Sequence, residues 1–96
     1  MPETMRISEP DTGHTIILDD NRRDLVLVEL QRVRRFGAPY PKESPPVAAD
    51  LILEIEDDGR TRRYVLLSET VLLDTERRRV YQFYMGLQLL QWLNAP

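Results

Sequence analysis

The chain has 96 residues, with 13 basic and 16 acidic side chains, a net charge of −3 and a pI near 5.1. That length makes one domain, residues 1–96, with a single core. The absence of cysteine removes disulfide frameworks and thiolate chemistry. The acidic balance disfavours a general nucleic-acid binder, and no apolar run approaches the roughly 20 residues of a membrane span.

The first ten residues carry no apolar signal-type segment, so a cytoplasmic location is expected. Residues 1–13 are polar, hold Pro2, Pro10 and Gly13, and read as a loosely held arm. His14 to Leu18 is a short strand closed by a turn at Asp19-Asp20-Asn21. Residues 24–36 fit two periods. As a strand they offer Val26, Val28 and Leu30 on one face; as a helix, an Asp24 cap, Leu27, Leu30 and Val33, and Gly37 as a stop. The Leu-Val-Leu-Val run favours the strand.

Residues 37–48 contain four of the seven prolines and form a Pro-rich connector, excluded from a central strand because proline lacks an N–H donor. Tyr40, flanked by Pro39 and Pro41, is its one candidate contact residue. The best-specified element follows. Asp50 to Glu56 alternates Leu51, Leu53 and Ile55 with Glu54 and Glu56, and Asp58-Gly59 supplies a pair that tolerates positive φ. Counting out from a two-residue turn sets Glu56 against Thr61, Glu54 against Arg63 and Leu53 against Tyr64; a three-residue turn sets Glu56 against Arg62.

Val71 to Asp74 reads as a further strand, and Thr75 as the cap of a helix from Glu76 to about Leu93. On that helix Val80, Phe83, Tyr84, Leu87 and Leu90 make one apolar stripe. Tyr81, Met85, Leu89 and Trp92 make a second on the opposite side, with Gly86 allowing close approach of another backbone. Tyr81, Met85, Gly86, Leu89 and Trp92 are therefore the expected partner interface, with self-association the simplest form.

Candidates for chemistry are few. His14 is the only histidine, and a catalytic reading would need it beside the turn carboxylates Asp19-Asp20 or Asp57-Asp58, which occupy positions where turns favour Asp. No spacing implies a metal or another cofactor. Arginine clusters offer an alternative function, nucleic-acid contact through Arg32, Arg34, Arg35, Arg77, Arg78 and Arg79. The expected architecture is α+β, a meander-like antiparallel sheet of four to five strands with one C-terminal helix across a face. The expected function is a non-catalytic protein–protein interaction module of regulator, adaptor or inhibitor type, acting as a homodimer or docked to a protein partner.

Overall fold

The computed structural model describes residues 3–40 and 49–95. Among these the protein is α+β, with one antiparallel sheet of seven strands and two helices. The strands are β1 (Thr4–Ser8), β2 (Thr15–Ile17), β3 (Ala38–Pro39), β4 (Leu51–Asp57), β5 (Arg60–Ser68), β6 (Val71–Asp74) and β7 (Arg79–Gln82). The helices are α1 (Asp20–Val33) and α2 (Gly86–Asn94). In space the strands run β2-β1-β4-β5-β6-β7-β3. The sheet is larger than four or five strands, and the helices number two among the described residues.

The centre is the β4–β5 hairpin, in the register that a two-residue turn dictates. Glu56 faces Thr61, Glu54 faces Arg63 and Leu53 faces Tyr64. Asp58 and Gly59 both take positive φ, 48° and 77°, which matches the right-handed twist of the flanking strands. Leu51, Leu53, Ile55, Tyr64 and Leu66 all bury on one face. Residues 1–13 are not a loose arm throughout, because β1 inserts between β2 and β4. Met5 and Ile7 there are fully buried, which contributes about 1.5–3 kcal/mol each. A short apolar alternation between polar neighbours, Met-Arg-Ile, is enough to place a strand when a hairpin edge awaits pairing.

Residues 20–33 are helical, contrary to the strand expected from Leu-Val-Leu-Val. The cap is Asp19, whose carboxylate accepts from the Arg22 N–H at 2.9 Å, and the helix therefore starts before Asp24. Val26, Leu30 and Val33 bury at helical spacing, while Leu25 and Val28 face outward. Local β-propensity yields here to a strong cap and to the core.

The long C-terminal helix is replaced by a hairpin and a short helix. Asp74, 8% exposed, accepts from the Glu76 and Arg77 N–H groups at 3.0 and 3.1 Å. Arg78 takes φ 53°, and the chain returns as β7. Those bonds fold residues 75–78 into a turn, so Thr75 caps no helix; its hydroxyl donates to the Arg63 carbonyl at 3.1 Å. Tyr81 and Phe83 are then buried at the strand period of two. Of the Pro-rich connector, Ala38–Pro39 pairs with β7 as an edge strand, where proline is tolerated; residues 41–48 lie outside the described residues.

Both helices cover the same face of the sheet. Val26 and Leu30 of α1 and Leu89 and Leu93 of α2 join one core with Met5, Ile7, Leu53, Ile55, Leu66, Leu72 and Phe83. Gly86 opens α2 against the β5–β6 turn, and a Cβ there would overlap the Glu69 carbonyl. Gly86→Ala should therefore lose about 1–3 kcal/mol from overpacking, against at most about 1 kcal/mol of helix propensity gained. Urea unfolding measures it; equal or higher stability in the alanine variant would show that the close approach is not required.

Candidate functional site

Two surfaces stand out, on different sides of the sheet. The first is the face that neither helix covers. Strand register carries Ile52 opposite Val65, Val65 opposite Leu73, and Leu73 opposite Val80, with Ala38 beyond. This aliphatic row crosses four adjacent strands, and its members are half-buried. Leu67 and Val71 are likewise half-buried. Phe36, 74% exposed, lines a groove of about 360 Å³ with Ala38, Val71 and Val80 at the same edge. Toward the hairpin turn the face becomes charged. Arg6 pairs with Glu56 and Arg63 with Glu54, each at 3.2 Å.

The second surface is a cleft of about 300 Å³ lined by Arg34 after α1, Asp57, Arg60 and Arg62 on the hairpin, and Arg77 in the β6–β7 turn. A smaller adjoining depression adds Tyr64, Asp74 and Glu76. Strand alternation explains the convergence. Arg62 lies opposite Ile55, whose side chain is in the core, so Arg62 projects from the helix-bearing face near its open end.

The residues expected as one helical interface are dispersed. Tyr81 is in β7 and buried, Leu89 is fully buried, and Gly86 packs on Glu69 of its own chain. Met85 and Trp92 are partly buried against the core, and Arg22 lies over the Trp92 ring at 5.2 Å. Among the described residues Tyr81, Met85, Leu89 and Trp92 form no exposed helical stripe, because residues 79–82 are strand and Leu89 and Leu93 of α2 turn inward.

The arginines separate in the same way. Arg34 and Arg77 share the cleft, but Arg32 lies over Tyr84 and pairs with Glu29. Arg79 donates to the Gly37 carbonyl, Arg78 lies over the Tyr40 ring, and Arg35 lines a separate shallow pocket with Val28 and Phe36. His14 Nε2 is 3.1 Å from the Leu93 carbonyl, where it ties the end of α2 to the start of β2. That places His14 in a helix-end contact, whereas Asp57 ends β4, Asp58 is in the hairpin turn and Asp19 caps α1. A period of two marks only one face of these strands, whereas the unbroken triples Leu51-Ile-Leu53, Val65-Leu-Leu67 and Val71-Leu-Leu73 signal strands with apolar residues on both faces.

A carboxylate with three hydrogen bonds lies elsewhere. Glu29 on α1 accepts from Arg32 at 2.6 and 3.0 Å and from the Tyr84 N–H at 2.8 Å, which fastens α1 to the segment leading into α2. The Arg32 hydrogen bonds, then the Tyr84 N–H and the Arg32 charge, hold its carboxyl below the ordinary value of 4.5, against an opposing effect of burial.

Comparison with protein families, curated proteins and solved structures finds no match to this chain.

Because the Glu29 pKa is depressed by folding, its stabilisation is complete above the unfolded-state value near 4.5 and is lost as pH falls through the folded-state value. Glu29→Gln should cost about 1–2 kcal/mol at pH 7, and the gap to wild type should shrink as pH drops below that value. Thermal melts of both proteins across pH 3 to 7 (roughly the window set by that carboxylate) read it directly. A gap independent of pH would refute the assignment.

Proposed function

We propose that the chain is a non-catalytic protein–protein interaction module that docks a second copy of itself through the uncovered sheet face, acting in the cytoplasm. The observation that carries this reading is the aliphatic row Ile52–Val65–Leu73–Val80, continuous across four adjacent strands and left by both helices. Water-facing sheet faces ordinarily alternate to polar residues, so an apolar row there favours a covering surface. Two such faces stack about 10 Å apart with their strands nearly aligned, so the same patch serves on both sides of a two-fold axis.

Charge supports a copy of the same chain over an oppositely charged partner. Beside the row lie Arg6 and Arg63 with Glu54 and Glu56, two of each sign in internal pairs. A two-fold mate meets this band without net repulsion and can exchange partners across it. The interface thus moves from the C-terminal helix to the outer sheet, while the class of function stays as the sequence suggested.

Sedimentation equilibrium tests the proposal. Wild type should associate as a dimer in the micromolar range, and Val65→Glu with Leu73→Glu should be monomeric with unchanged circular dichroism. Both side chains are half-buried on the outer face, so charge there spares the core. A wild type that stays monomeric at the highest soluble concentration overturns the dimer.

A further inference from the structure

The arginine cleft lies outside the surface proposed for docking, and we infer that it is a binding site for a compact phosphate-type oxyanion, an orthophosphate or short polyphosphate group. Among the described residues, most guanidinium groups outside the cleft are committed to oxygen atoms of the protein; Arg35, on the separate shallow pocket, and Arg78, over the Tyr40 ring, are not. Arg6 donates to Glu56, Arg23 to Asp20, Asp24 and the Glu3 carbonyl, Arg32 to Glu29, Arg63 to Glu54, and Arg79 to the Gly37 carbonyl. The four arginines of the cleft differ. Among the described residues the side chains of Arg34, Arg60 and Arg77 make no hydrogen bond or ion pair. Arg62 forms an ion pair with Glu3 Oε2 at 3.6 Å, beyond hydrogen-bond length, and that buried oxygen accepts no hydrogen bond.

Four guanidinium groups thus line about 300 Å³, and among the described residues none of them donates a hydrogen bond to the protein. Carboxylates are close at hand, yet they do not consume them. Asp74 lines the adjoining depression with one oxygen already taken by the Glu76 and Arg77 N–H groups, and Asp57 and Glu76 pair with none of the four. Asp57 in the lining and Glu3 beside Arg62 offset part of the four like charges, and a tetrahedral oxyanion offsets the rest by accepting from several guanidinium forks at once.

The shape selects a compact anion over a nucleic-acid strand. The four arginines come from three elements to line one concave spot and do not follow a track. Among the described residues the one aromatic side chain lining the cleft or its adjoining depression, Tyr64, is 3% exposed and presents no face for a base to stack on. Arg32 and Arg79, which a longer basic path would need, are bonded within the protein.

The test is calorimetric titration of the full chain with inorganic phosphate and with pyrophosphate at about 50 mM NaCl, low enough to limit screening. Saturable one-site binding is expected, tighter for pyrophosphate, and about tenfold or more weaker in Arg60→Gln with Arg77→Gln. Arg35→Gln, outside the cleft, should bind as wild type does. The double variant should also melt at a higher temperature than wild type in anion-free buffer, because it removes repulsion. Absence of saturation by either anion overturns the site, as does equal weakening in Arg35→Gln. A single-stranded oligonucleotide that binds more tightly than pyrophosphate, and loses affinity in Arg35→Gln, overturns it in favour of a nucleic-acid surface. None of these outcomes depends on the dimer.

Discussion

The fold depends on the register of one hairpin. Asp58 and Gly59 supply positive φ at both centres of the turn, which fixes Leu53 opposite Tyr64 and Glu54 opposite Arg63. A slip of one residue would turn Leu51, Leu53 and Ile55 to the opposite face and bring Glu54 and Glu56 into the core. Each flank then adds to this frame. β1 pairs along β4 and sends Met5 and Ile7 inward, and β6 pairs along β5 and sends Leu72 inward. The helices have one apolar face to cover because the hairpin has set which face that is.

The hairpin was legible in the sequence because its information is local. Turn chemistry, alternation and cross-strand charge all lie within about twenty residues and agree. The helix at Asp20–Val33 was less legible, since Leu-Val-Leu-Val satisfies a strand locally and the deciding contacts come from distant partners in the core. The stretch from Arg79 to Trp92 shows the same limit more sharply. Its apolar residues fit a period of 3.6 throughout, but the Asp74 carboxylate captures two backbone N–H groups and Arg78 adopts positive φ, which commits the chain to a turn. Gly86, expected to admit a partner's backbone, is instead approached by a backbone from within the molecule. That backbone is the carbonyl of Glu69 in the same chain.

Dissolving the long helix also changed where surplus apolar surface lies. Tyr81 and Leu89, expected outside, are consumed by the core, and Trp92 is sheltered beneath Arg22. The uncovered aliphatic residues are instead on the outer strands, where three unbroken apolar triples had no single-face explanation. A small domain with both helices on one side of a seven-stranded sheet leaves a broad second face. Charged residues keep only its hairpin-turn end wet.

The same alternation assigns the arginines of β5 to separate tasks. Read along the chain, Arg60, Arg62 and Arg63 form one cluster that neighbouring Glu and Asp can neutralise. In the strand, Arg63 points to the outer face and is indeed neutralised by Glu54, whereas Arg62 points to the helix-bearing face beside Arg60. Arg34 and Arg77 arrive at that same spot from the end of α1 and from the turn that displaced the long helix. A period of two therefore divides three near-adjacent cations into one paired charge on the outer face and two members of the cleft cluster. The charge excess was present in the sequence, but only the turn after Asp74 brings its remaining member to the cleft.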